Sequence, residues 1–216
     1  EKQQNTDKHD PYRADQSPQD CTRYEGETNK WRTSHVGSSL QECFNLSING
    51  FDHIIGNSNS APAWLKTNGQ HNGGGTLISG GESEFSEFLV AFLNGMESRY
   101  GIEVTAISPT NEPDYEVSYE SMNTTPSELS GILINLNSRL ANSGLDHIKI
   151  VSPECFRVES QNAGTSATNY INAMFQNSAA EEAVDIVGTH TYADPNHNAN
   201  WNALKVAANG KPVWVT

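Results

Sequence analysis

From residue 36 onward the chain alternates short runs that are apolar along their whole length with longer runs that are apolar on one face only. That alternation constrains the fold more than any other feature. A strand exposed on one side would alternate polar and apolar residues, so runs such as IKIV (148–151) and VDIVGT (184–189) predict strands covered on both faces. The predicted order is a helix over 36–50, a strand over 53–57, a helix over 82–100, a strand over 102–107, a helix from 126, a strand over 148–152, a helix over 168–180, a strand over 184–189, a helix over 199–208 and a last strand over 212–216. The helical segments carry their own punctuation. Phe85, Phe88, Leu89, Phe92, Leu93, Met96 and Tyr100 recur at three- and four-residue steps before Gly101, the stripe of a core-facing helix. Thr125-Pro126-Ser127-Glu128 is a capping box with proline at the first helical position, which starts a helix lined by Leu129, Ile132, Leu133, Leu136 and Leu140.

Five such alternations predict an α/β protein with parallel strands, either an open doubly wound sheet or a closed barrel. Two observations favour the (β/α)8 TIM barrel. No strand-to-helix turn carries a glycine-rich phosphate fingerprint. Instead Asn57, Glu112, Glu154, His190 and Tyr192 terminate successive strands, and a barrel gathers all its strand ends on one face. A whole barrel takes eight strands and about 250 residues. The expectation is therefore an incomplete barrel, about strands 3 to 7, over residues 36–216. Residues 1–35 contain no Ile, Leu, Val, Phe or Met and build no core alone; they are either an unstructured tail or a long surface loop.

Composition narrows the function classes. The net charge is -13, and six of the thirteen basic residues fall in residues 1–32, which argues against nucleic-acid partners. No run approaches the length of a membrane span. The first residues show no leader, as in a mature secreted protein, and an extracellular location is the expectation. Cys21, Cys43 and Cys155 form neither a disulfide framework nor a metal pattern; buried thiols with at most one bridge are expected. No cofactor or metal is implied, His71 and His197 are expected to face solvent, and nothing bears on oligomeric state.

Glu112 carries the chemistry. It stands in ISPTNEPDY (107–115), a strand end closed by Pro109 and Pro113, where neither strand pairing nor immediate helix entry continues. This stretch, with SAPAWLKTNGQHNGGG (60–75), IVSPE (150–154), DIVGTHTY (185–192) and KPVWVT (211–216) in that order, resembles glycoside hydrolase family 30, of the retaining (β/α)8 glycosidases. The resemblance implies a glycosidase acting on a β-linked polysaccharide by two carboxylates, one an acid/base over the leaving oxygen and one a nucleophile about 5–5.5 Å away. By resemblance Glu112 is the acid/base and Asn111 donates to the sugar 2-hydroxyl. Trp64, Tyr115, Glu154, His190 and Tyr192 are candidate substrate-binding residues, Trp64 because an indole in a polar loop suits the apolar face of a sugar. Glu154 could equally orient a neighbour, His190 could equally be structural, and Asp114 with Tyr115 could merely shape the loop. The family's nucleophile follows a WxT context, which places it at the position after Trp214-Val215-Thr216. The resemblance points first to an endo-xylanase type, next to a β-1,6-glucanase or β-1,6-galactanase, and from another class to a non-catalytic carbohydrate-binding protein built on the barrel.

Overall fold

In the computed structural model, residues 53–160, 165–192 and 198–216 are described. The helix predicted over 36–50, the polar segment 1–35, Cys21, Cys43 and His197 lie outside the described residues. Five strands, β1 (Ile55–Asn57), β2 (Ala106–Ser108), β3 (Lys149–Cys155), β4 (Ile186–Thr189) and β5 (Val213–Val215), form one sheet in the order β1-β2-β3-β4-β5. Every neighbouring pair is parallel. Between them run α1 (Glu82–Tyr100), α2 (Pro126–Asn142), α3 (Ala167–Met174), α4 (Ser178–Ala183) and α5 (Asn198–Ala207). Strands follow one another across the sheet in chain order, without the reversal that defines a doubly wound fold. The helices pack together against one face of the sheet, in a single core cluster. No helix among the described residues is long and apolar enough to cross a membrane.

The period of two along each strand sorts the core into two layers. Ile107, Ile150, Val187 and Val213 face the helices and join Phe85, Leu89, Leu93, Leu129, Leu133 and Leu136 in the main core. Ala106, Val151 and Ile186 face the other way and pack with Trp214 in a small second cluster. Both faces of β2, β3 and β4 are therefore covered, which is why their sequences show no polar alternation. Five apolar residues of α2, from Leu129 to Leu140, are buried, each contributing roughly 1.5–3 kcal/mol by leaving water.

Beyond shifts of one or two residues at other element ends, the predicted boundaries differ from the structure in three places, each for a local reason. The strand predicted over 102–107 pairs only at Ala106–Ser108; residues 102–105 approach it outside the strand, with Ile102 and Val104 buried against the helices. The single helix predicted over 168–180 is two, because Asn177 leaves helical geometry and its side chain accepts from the Ala179 N–H to start α4. Strand β3 runs on through Pro153 and Glu154, and its pairing with β4 shifts register between Pro153 and Cys155. Such an irregularity turns a side chain that would face the helices toward the strand ends.

Helix starts and stops follow the sequence signals. Thr125 accepts from the Glu128 N–H at 3.3 Å while a Glu128 carboxylate oxygen accepts from the Thr125 N–H at 2.7 Å, and Gly101 takes a left-handed φ of 64° to end α1. Thr125→Ala removes one half of the box. The expected outcome is a loss of about 1 kcal/mol, read as a lowered urea midpoint at unchanged slope.

Candidate active site

The strand ends of β2, β3, β4 and β5 converge, and hydrogen bonds continue the contact between strands beyond the last paired residues. The Thr110 hydroxyl donates to the Pro153 carbonyl (3.2 Å), the Glu112 N–H to the Glu154 carbonyl (2.8 Å) and the His190 N–H to the Cys155 carbonyl (2.9 Å). Glu112 and Glu154 both hold left-handed φ, 47° and 62°. A non-glycine residue there is strained by about 1–3 kcal/mol, and such strain persists only where surrounding bonds over-determine the backbone. Those bonds include the Tyr115 N–H to the Glu112 carbonyl at 2.9 Å. Asp114 pins the same loop by accepting from the Phe156 N–H (2.8 Å) and the Ser166 N–H (3.0 Å). Asp114 thus shapes the loop, the role its sequence position suggested.

Three of the candidate residues meet directly. His190 bridges the two carboxylates, with Nδ1 2.8 Å from Glu112 Oε1 and Nε2 3.4 Å from Glu154 Oε2. Glu112 is 7% exposed, His190 7% and Glu154 1%, so none of the three is free to relax into solvent. The Thr216 hydroxyl also donates to Glu154 Oε2, whereas Glu154 Oε1 is buried with no hydrogen-bond partner. Burial pulls the His190 imidazolium down, but hydrogen bonds and charge from Glu154 and then Glu112 outweigh it, and the group is raised above its ordinary value. Asn111 accepts from Asn57 Nδ2 at 3.0 Å, which joins the ends of β1 and β2.

The aromatic candidates form a rim. Tyr115 stacks on Phe156 with centroids 4.3 Å apart, Phe156 meets Tyr192 at 5.5 Å, and Tyr192 stands edge-on to His190 at 5.3 Å. Tyr115 and Tyr192 are exposed. Tyr119, exposed on the loop after Glu112, has its phenol raised by desolvation and then by the Glu112 charge. Sequence reasoning missed Phe156 and Tyr119. Phe156 stands just past a strand end and was open to detection by that position, but Tyr119 lies in a loop that carries no periodic signal.

Trp64 occupies a 3-10 turn, Ala63–Leu65, and is partly buried against the main core. The glycine-rich loop around it is bound to the loop after Glu112. Gly73 N–H donates to the Tyr119 carbonyl (3.1 Å), Asn123 N–H to the Gly75 carbonyl (2.9 Å) and Ser121 N–H to the His71 carbonyl (3.3 Å), and His71, expected to face solvent, is only partly exposed. Glycine is required at Gly74, where φ is 65° and a Cβ would lie 2.7 Å from Asn123 Oδ1. Lys66 Nζ donates to the Ser121 carbonyl beneath this junction, and burial pushes the amine down to about 8. Cys155 is a free, buried thiol, raised well above its usual value first by burial and then by Asp114.

Buried carboxylates at the C-terminal ends of sequentially ordered parallel strands define an α/β fold whose candidate site lies at the strand ends. The chain belongs to the glycosyl hydrolase catalytic core family, which it matches over residues 79–216, in a segment of the family 30 type. It is 28% identical over 132 residues to the glucuronoxylanase XynC of Bacillus subtilis, covering 61% of this chain and 27% of that protein. Its fold is similar to that of the family 30 subfamily 8 xylanase Xyn30A of Clostridium acetobutylicum (TM-score 0.68, 22% identity, 83% of this chain and 42% of that one). It is also similar to the endo-β1,6-glucanase BT3312 (TM-score 0.74, 18% identity, 91% and 44%). The chain thus spans less than half the length of each of these relatives.

Two outcomes test the site's geometry. A Cβ on Gly188 would lie 2.1 Å from Glu154 Oε1 and 2.5 Å from Val151 Cγ1, so Gly188→Ala must displace the Glu154 carboxylate. The expected cost is about 1–3 kcal/mol from overpacking, measured by denaturant unfolding. The raised His190 value also fixes the sign of a pH effect. The folded state binds the His190 proton more tightly than the unfolded chain, so this contribution is complete below the ordinary histidine value of about 6.5. It disappears as pH rises through the raised folded value. Unfolding free energy is expected to fall with pH across that window, and His190→Gln to flatten the fall.

Proposed function

We propose that this chain carries the acid/base half of a retaining glycosidase acting on a β-linked polysaccharide, with Glu112 as acid/base. One observation carries the proposal. Glu112 sits at the end of β2 in a left-handed conformation, nearly buried, with one carboxylate oxygen already engaged by His190. An acid that must face one bond of a sugar needs its second oxygen free and its first one fixed. We infer that the five strands are part of the wall of a (β/α)8 barrel, and that the nucleophile is a carboxylate on the residue following Thr216. The support for that position is the seat of Thr216 itself, with its N–H on the Thr189 carbonyl at 3.2 Å and its hydroxyl on Glu154. Asn111 lies beside Glu112 for the 2-hydroxyl contact, and the Tyr115, Phe156 and Tyr192 rings supply the flat apolar surface that a pyranose stacks on.

A xylan-type backbone is the preferred substrate class, because the curated relative with the sequence match is a glucuronoxylanase. Hydrolysis would then run in two steps. Glu112 first gives its proton to the glycosidic oxygen while the nucleophilic carboxylate takes the anomeric carbon; Glu112 then removes a proton from the water that releases the sugar. In the full-length protein, Glu112→Gln is expected to lower hydrolysis of unactivated polysaccharide by about 10²- to 10⁴-fold with circular dichroism unchanged. Reducing-sugar release on xylan, β-1,6-glucan and β-1,6-galactan reads the substrate. A variant as active as the parent sinks the assignment, and binding without turnover in the parent supports a carbohydrate-binding protein instead.

A further inference from the structure

His190 touches the proposed acid/base directly, so its own protonation state bears on the reaction, and any role for it rests on the assignment of Glu112. An imidazole with a carboxylate oxygen at each ring nitrogen satisfies both contacts as a donor only when both nitrogens carry protons. A neutral ring would turn one lone pair on a carboxylate unless that carboxylate were itself protonated on the facing oxygen. For Glu112 that alternative is unproductive. A proton on Oε1 lies in the bond to His190, whereas the proton that reaches a sugar must sit on Oε2. The acid form competent for glycosidic cleavage therefore has its proton on Oε2 and accepts at Oε1 from His190 Nδ1, 2.8 Å away.

The surroundings favour the doubly protonated ring. Glu112 faces it from the loop after β2 and Glu154 from the end of β3, at 3.4 Å from Nε2. From its own strand end comes the edge of Tyr192. From β5 comes the neutral Thr216 hydroxyl, which is engaged by Glu154. Farther out stand the Tyr119 phenol, which feels the Glu112 charge, and Arg157, whose guanidinium lies 5.6 Å over the Phe156 ring. Two carboxylates thus face one imidazole in a pocket where all three are at least nine-tenths covered.

We propose that His190 is a positioning residue that serves as a fixed imidazolium, stabilising the negative charge left on Glu112 when its proton passes to the departing sugar oxygen. Glu154 is the counter-ion that holds the ring charged and oriented. The step balances without moving a His190 proton. The bond between the anomeric carbon and the glycosidic oxygen breaks, the nucleophilic carboxylate bonds the carbon, and the oxygen takes the Oε2 proton of Glu112. The electron pair of that O–H bond stays on Glu112 as carboxylate charge, shared by resonance with Oε1, which faces Nδ1–H. An interaction with a neutral carboxyl becomes one with a carboxylate during the step, so it strengthens toward the transition state and lowers the barrier. It assists only leaving groups that need a proton. A nitrophenolate leaves without one.

The test is a ratio of ratios in the full-length protein. His190→Gln and Glu154→Gln are assayed on unactivated polysaccharide and on a nitrophenyl glycoside, with Glu112→Gln beside them. The expected result is a loss of about 10²-fold on the polysaccharide and a much smaller loss on the aryl substrate for both variants. A structural role would lower both rates alike, and equal losses overturn the proposal. A second readout avoids turnover. Nitrogen-15 NMR of the histidine ring is expected to show His190 protonated on both nitrogens at about pH 7 in the parent. In Glu154→Gln it should titrate at lower pH. A neutral His190 in the parent under those conditions overturns the proposal whatever the kinetics. If Glu112→Gln spares polysaccharide hydrolysis, the acid/base assignment itself fails; if it hits the polysaccharide selectively and His190→Gln does not, only the role of His190 fails.

Discussion

The backbone hydrogen bond from the Glu112 N–H to the Glu154 carbonyl is the constraint on which the site depends. Strands β2 and β3 stop pairing at Ile107 and Ile150, yet this bond joins them again several residues further on. It does so with both residues in the left-handed region, where L side chains meet a steric penalty against the carbonyl. Two strained residues bonded to each other keep their carboxylates at a fixed separation. The Asp114 contacts to Phe156 and Ser166 and the Thr110 contact to Pro153 brace the same two loops. Removing any one would relax a geometry that neither loop favours alone.

Charge is the second consequence. A carboxylate transferred from water into a protein interior is stable only if it finds partners. Glu112 and Glu154 find one in common, and His190 reaches both because β4 lies beside β3 and ends where their two loops meet. The absence of a side chain at Gly188 makes room for Glu154. A polar cluster of this kind sits at the strand ends because the opposite, helix-facing layer is filled by aliphatic and aromatic side chains that offer no partners. The same low-dielectric surroundings that make an unpaired charge costly make a fixed imidazolium effective.

The aromatic rim and the glycine-rich loop are tied to this centre by separate bonds. The loop that carries Trp64 is joined to the loop that carries Tyr119 by three backbone bonds and by buried Lys66. The two loops are therefore held together, and the one that carries Tyr119 follows directly on Glu112. Tyr115, Phe156 and Tyr192 come from the ends of three different strands, so their stacking depends on the same sheet order that assembles the carboxylates.

The sequence by itself determined the layers and which polar residues stand near the strand ends. Apolar runs with no alternation require two covered faces, Thr125 to Glu128 and Gly101 set helix limits through local hydrogen bonds and left-handed backbone, and prolines around Glu112 stop β2. These are properties of neighbours along the chain. The motifs also indicated Glu112, Asn111, Glu154, His190 and Tyr192 as strand-end residues. Only the tertiary structure decided that His190 lies between Glu112 and Glu154, that the register of β3 shifts after Pro153, and that Gly188 must lack a side chain. Those facts depend on the lateral placement of β2, β3 and β4. Residues as much as 78 positions apart meet there, and no local periodicity encodes a contact at that separation.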